Sequence, residues 1–128
     1  MMSLKIEIET RQGGLYIVKL EGKLDTQTYK SCEDRLNALL GKAKVLMFDL
    51  AKLDYISSMG LRTILRIRKA MQTAGGNVMM SNVQPQIAKV FEIANALPDV
   101  PIFSSTKEAD DYFDAMQRKV LEKRQPIL

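Results

Sequence analysis

The chain has 128 residues, 46% of them hydrophobic, which is enough for one compact domain with a real core and leaves no room for a second. It contains no histidine and one cysteine, so the usual neutral-pH general base, a Cys/His metal site and an internal disulfide are all excluded. A formal charge of +4 permits an acidic partner but is too small to argue for nucleic acid, and no apolar run reaches the roughly 18 to 20 residues that span a bilayer. The lone Cys32 and the absence of a charged, apolar, small-residue order near the start point to a reduced cytoplasmic setting.

Residues 5–10 alternate Ile6 and Ile8 with Glu7 and Glu9, the two-residue period of a strand with one wet face. Gly13-Gly14 marks a turn, and residues 15–21 read as the return strand of a hairpin. After Gly22-Lys23-Leu24 the period changes. Asp25 or Thr26 can cap a helix whose apolar positions are Tyr29, Cys32, Leu36 and Leu39, with Gly41 as its stop. Val45-Leu46-Met47-Phe48 is a continuous apolar run ending at Asp49, as expected of a central strand covered on both faces.

A helix is predicted over 58–74, with Leu61, Ile64, Leu65 and Met71 on its inward arc and Arg62, Arg66 and Lys69 on another face. Arg68 falls within the apolar arc, where it must snorkel or meet a carboxylate. Gly75-Gly76 ends the helix, residues 77–81 form a short strand, and Pro85 opens a helix with Ile87, Val90, Phe91 and Ala94 inside. Pro101-Ile102-Phe103 reads as a weak last strand. A terminal helix carrying Ala109, Tyr112, Phe113 and Met116 follows, with a basic end, 118–128, expected to fray.

The order is thus β-β-α-β-α-β-α-β-α in a single domain over 1–128 with its core at about 5–116. Right-handed crossovers between strands separated by single helices give a mixed, largely parallel α/β sheet opening with a β-hairpin. A ligand or partner is expected at the carboxyl ends of the parallel strands, in the loops after Leu24, Asp49 and Ser81.

Between a buried-strand pattern and the long helix stands Asp54-Tyr55-Ile56-Ser57-Ser58-Met59-Gly60-Leu61. Taken alone, a Ser-Ser pair ahead of a helix is an ordinary N-cap, Gly60 can serve close packing or an unusual turn, and Asp25 can simply cap its own helix. Asp49 and Asp54 read as solvating charges at a strand end and in a loop. Met59 is either exposed beside the serines or buried under the neighbouring loop, while Met47, Met71, Met79 and Met116 read as core filling.

Together these pieces resemble the STAS domains (sulfate transporter and anti-sigma factor antagonist), in particular the free-standing bacterial anti-sigma factor antagonists. The resemblance rests on Gly22-Lys23-Leu24-Asp25, Phe48-Asp49-Leu50, the stretch from Asp54 to Arg62, Gly75-Gly76 and Val90-Phe91. The family's best-known Asp-Ser-Ser/Thr-Gly-Leu becomes Ser57-Ser58-Met59-Gly60-Leu61 here, a frequent variant in which Ser57 replaces the aspartate.

The resemblance implies a phosphoacceptor serine, Ser58 first and Ser57 second. It also implies a kinase- and anti-sigma-binding set of Gly22, Leu24, Asp25, Thr26, Ser57, Ser58, Met59, Gly60, Leu61 and Arg62. The implied partners are an anti-sigma factor that is a serine kinase, holding its own ATP and magnesium, and a metal-dependent serine phosphatase. The chain itself is expected to need no cofactor, to be no enzyme, to insert in no membrane, and to be a monomer or weak dimer. A STAS module with another output, such as secretion, biofilm formation, lipid transport or a sensory complex, fits the same residues. A phosphoaspartate receiver fits poorly, since the first strand ends without paired carboxylates and no lysine follows Phe103.

Overall fold

The structure, a computed structural model, describes residues 4–96 and 106–124. Strands β1 (Leu4–Arg11) and β2 (Leu15–Leu24) form the expected hairpin around a 3-10 turn at Gln12–Gly14, in antiparallel register from Leu4 opposite Gly22 to Arg11 opposite Leu15. Helix α1 (Tyr29–Asn37) leads to β3 (Val45–Ile56), α2 (Ser58–Thr73) to β4 (Asn77–Ser81), and then come α3 (Pro85–Ala96) and α4 (Thr106–Arg124). The sheet order is β1-β2-β3-β4, with β2, β3 and β4 parallel. The strand expected at Pro101-Ile102-Phe103 lies outside the described residues, as do the side chains of Ala109, Tyr112 and Phe113.

The core lies between one face of the sheet and the helices. Val18, Leu20, Leu24, Leu46, Phe48, Leu50, Leu53 and Ile56 meet Cys32 and Leu36 of α1, Ile64, Ile67 and Met71 of α2, Ile87 and Val90 of α3, and Met116 of α4. The opposite face is less covered than the apolar run in β3 suggested. Val45 and Met47 are only half-buried, and Met79, opposite Met47 in β4, is 50% exposed. Beside them Lys19 Nζ stands 2.6 Å from Glu9 Oε2, and the hydrogen bond holds the Glu9 carboxyl below and the Lys19 ammonium above their ordinary values.

Three boundaries differ from the sequence reading. Strand β3 does not end at Asp49 but continues to Ile56, because two extra residues are accommodated as bulges where Lys19 and Glu21 of β2 face Asp49 and Lys52, and where Gly22 and Lys23 face Leu53 and Tyr55. Inward residues therefore fall at 46, 48, 50, 53 and 56, a spacing that a strict period of two reads as a loop. Helix α1 stops at Asn37, and a string of turns through Lys42, rather than Gly41 alone, carries the chain to β3. Finally, the terminal helix, α4, extends beyond Met116 to Arg124. Among the described residues no helix is long and apolar enough to cross a membrane.

Candidate functional site

With β3 extended, the carboxyl ends of β2 and β3 become adjacent at Leu24 and Ile56, and the serine pair follows directly. The Ser57 N–H donates to Leu24 O at 2.9 Å, fixing the end of β2 to the entrance of α2. Ser57 has extended backbone, and its Oγ accepts the Gly60 N–H at 3.2 Å, the geometry of a helix N-cap. Ser58 is the first helical residue.

Gly60 explains why the motif has a glycine. A Cβ there would lie 2.4 Å from Leu24 O and 2.8 Å from Leu24 Cγ, so only a residue without a side chain lets α2 approach β2 this closely. The packing reading of Gly60 thus holds. Gly60 and Leu24 are buried, and Leu61 is 7% exposed. In the free chain these three members of the expected partner-binding set lie within the fold and hold α2 against the end of β2. Gly22, half-buried with φ 109, stands at the second bulge, a left-handed conformation that favours glycine.

Asp25 organises the turn after β2. Its Oδ1 accepts the N–H groups of Gln27 at 2.9 Å and Thr28 at 3.1 Å, while Thr28 Oγ1 donates to Lys23 O at 2.8 Å and accepts from the Asp25 N–H at 2.9 Å. Asp25 thus caps a turn, and α1 starts only at Tyr29, later than a cap at Asp25 or Thr26 implied. Thr26 is exposed at the tip.

The serines are less accessible than a modification site suggests. Ser57 is 3% and Ser58 8% exposed, so both lie below the surface of the free chain. Met59 is half-buried, and its Sδ receives Arg62 Nη1 at 3.8 Å. Farther along α2, Arg66 pairs with Glu33 of α1, Lys69 is exposed, and Arg68 is half-buried without an ion pair among the described residues, which is the snorkelling alternative. Ile67 and Thr63 are buried as well, a wider inward arc than the sequence reading included.

Three glutamines, none of them singled out from the sequence, complete the site. Strand β4 pairs with β3 only as far as Asp49, so among the described residues the rest of β3 has no strand neighbour on that side. Its backbone groups are instead met by side chains. Gln84 Nε2 donates to Ala51 O at 3.1 Å and Leu53 O at 2.7 Å, and Gln86 Nε2 to Asp54 O at 3.2 Å. Gln117 of α4 grips Ile56 at both groups, accepting its N–H at 3.1 Å and donating to its C=O at 2.8 Å.

Tyr55 of β3 also donates its hydroxyl to Asp114 of α4. Asp49, in mid-strand, accepts from Asn82 Nδ2 and the Ala51 N–H at 3.1 Å each, and so ties the loop after β4 to the first bulge. Asp54, read as a loop charge, lies on β3 and is exposed. Amides on helices or just before them read from sequence as solvated polar positions, and partners 31 to 61 residues away leave no local signal.

An open cleft of about 390 Å³ lies between the Asp25 turn, the end of β3 and α4, lined by Lys23, Asp25, Asp54, Tyr55, Asp114, Gln117, Arg118 and Leu121. Among the described residues no cluster of three or more His, Cys, Asp or Glu could hold a metal ion. Chemically, the site offers alcohols at the amino end of a helix, where the dipole and first-turn amides favour an anion.

A family model described as the STAS domain matches residues 5–109. The chain is 32% identical over 97 residues, 75% of its length and 84% of the relative's, to BtrV of Bordetella bronchiseptica, provisionally named an anti-sigma factor antagonist. It is 26% identical over 110 residues, 84% of this chain and 93% of the other, to an anti-sigma F factor antagonist of Paenibacillus polymyxa. In fold it is similar to the Bacillus cell fate determinant SpoIIAA solved in its phosphorylated form, with a TM-score of 0.62 at 17% identity, covering 70% of this chain and 83% of that one.

Proposed function

The chain belongs to the STAS domain family, and from that premise we propose that it is an anti-sigma factor antagonist, a binding protein switched by phosphorylation of Ser58. Unmodified, it occupies an anti-sigma factor that is also a serine kinase and so frees a sigma factor; modified, it lets go. The names of its relatives in Bordetella and Paenibacillus support the antagonist role.

The observation that carries the choice of serine is the cap at α2. Ser57 Oγ caps α2 through the Gly60 N–H, and a phosphate on it would break that cap, while Ser58 occupies the first helical position. A phosphate on Ser58 adds about 1.5 to 2 negative charges at the positive end of the dipole, so α2 survives while the surface that a partner meets is changed. The Asp25 turn, joined to the serine pair through Leu24 O, is the adjoining part of that surface, with Thr26, Met59 and Arg62 its exposed or half-buried members.

ATP and magnesium belong to the kinase, and a metal-dependent serine phosphatase resets the switch. The chain supplies no catalytic group or cofactor of its own and acts in the cytoplasm as a monomer or weak dimer. Incubation with ATP and a cognate anti-sigma factor kinase, followed by mass spectrometry, is expected to place one phosphate on Ser58. Ser58→Asp is expected to weaken kinase binding about tenfold or more while leaving the fold intact. Modification elsewhere, or undiminished binding by Ser58→Asp, overturns the reading.

A further inference from the structure

A kinase must reach Ser58 Oγ, yet Ser58 is 8% exposed in the free chain. Some element near the serine pair has to move, and among the described residues two are joined to the strand ends and helix that carry it: the turn after β2 and helix α4. The turn after β2 is the poorer one. It is closed by its own Asp25 and Thr28 hydrogen bonds, joined through Leu24 O to the Ser57 N–H, and wedged against Gly60. Helix α4 is held differently. Among the described residues no backbone hydrogen bond ties it to the rest of the chain; at this end it is fastened by the Gln117 grip on Ile56 and the Asp114 bond to Tyr55. The cleft bordered by Asp114, Gln117 and Leu121 undercuts it there, and Leu121 is 40% exposed.

We propose that α4 is a latch on the switch serine and that Gln117 is its positioning residue: with Gln117 seated on Ile56 the Ser58 hydroxyl is withheld, and α4 must lift from the end of β3 before the serine can react. The consequence for phosphorylation rests on the function proposed above; the exposure of residue 58 does not. When the latch is open, Ser58 Oγ forms a bond to the γ-phosphorus of ATP brought by the kinase as the bond to the ADP oxygen breaks, and the hydroxyl proton passes to a base on the kinase. Linkage makes the effect reciprocal: whatever loosens α4 exposes the serine, and a partner that holds the serine exposed loosens α4.

The test needs no kinase. Ser58→Cys in the full chain is labelled with 5,5′-dithiobis(2-nitrobenzoate), with the unsubstituted chain as the background from buried Cys32. Labelling of Ser58→Cys is expected to be slow and to rise about tenfold when Gln117→Ala is added, through local opening. Tyr55→Phe, which deletes one hydroxyl and little packing, is expected to raise it less.

Ile8→Ala on β1, destabilising at the far edge of the sheet, is expected to leave labelling slow, which separates a latch from general loosening. Equal labelling with and without Gln117→Ala, or an equal rise with Ile8→Ala, overturns the latch. Phosphorylation of the wild-type chain at a residue other than Ser58 overturns the proposed function and leaves the labelling result standing.

Discussion

At the scale of single residues, the site is set by what Gly60 lacks. An added Cβ would meet a backbone oxygen, Leu24 O, at 2.4 Å, and a carbonyl fixed in a strand cannot turn away as a flexible side chain would. Gly60→Ala should therefore cost about 1 to 3 kcal/mol from overpacking, more than the roughly 1 kcal/mol of helix propensity that alanine gains. A urea midpoint at or above the parent's would show that the clash is relieved cheaply. Ser57→Ala removes the cap and should cost about 1 kcal/mol in the same titration without abolishing modification of Ser58. Cys32 gives a pH signature of its own. Burial pushes its thiol up from an ordinary 9.0 to about 12, so below pH 9 it is neutral in both folded and unfolded chains. Above that the unfolded chain sheds a proton that the folded chain keeps, and stability falls by about 1.4 kcal/mol per pH unit until the folded thiol ionises too. Against Cys32→Val, whose core carries no titrating group at this position, the parent should lose ground steadily from pH 9 upward; parallel pH profiles would contradict the burial of the thiol.

At the scale of elements, β3 shows where sequence reading succeeds and where it stops. The hairpin, α2 and β4 were legible because their apolar spacing is regular, and β4 was placed at the residues it occupies. Strand β3 was cut short at Asp49 because its two bulges change the inward spacing from two residues to three, which makes Ala51-Lys52-Leu53-Asp54 look like solvent-facing loop. The serines, the glycine and the Asp25 turn were legible as a motif, whereas their burial was not, since it depends on elements packed from elsewhere in the chain. The glutamines that bond to β3 are the clearest loss, since they meet strand groups that have no strand neighbour among the described residues. Their burial predicts unequal costs. Gln84, half-buried, can be replaced at Ala51 O and Leu53 O by water, and Gln84→Ala should cost about 1 kcal/mol. Gln117, 2% exposed, leaves both Ile56 groups buried when truncated, and Gln117→Ala should cost about 2 to 3 kcal/mol. Equal losses in chemical denaturation would mean that water reaches Ile56 as easily as Ala51.

At the scale of the whole molecule, stability is unevenly spread, and the unevenness falls along the line a switch needs. Strands β2 and β3 are joined by a ladder from Leu15 opposite Val45 to Leu24 opposite Ile56 and carry Val18, Leu20, Leu24, Leu46, Phe48, Leu50, Leu53 and Ile56 into one cluster. Opening that pair exposes the centre of the core, so its amides should exchange only through global unfolding. Helix α4 packs against α3 and α2 and contributes Met116 to the cluster, yet it is fastened to β3 by side chains and undercut by the cleft. Detaching it leaves the β2–β3 ladder and the Ser57 cap in place, and therefore costs less than unfolding the domain. Native-state hydrogen exchange should accordingly resolve two levels, with α4 amides and the Ile56 amide opening together at low denaturant and the β2–β3 amides opening only in the global transition. Gln117→Ala should lower the first level and leave the two levels distinct. If α4 exchanges at the same free energy as β2 and β3, the domain opens as one unit, and access to the serine cannot be regulated apart from folding itself.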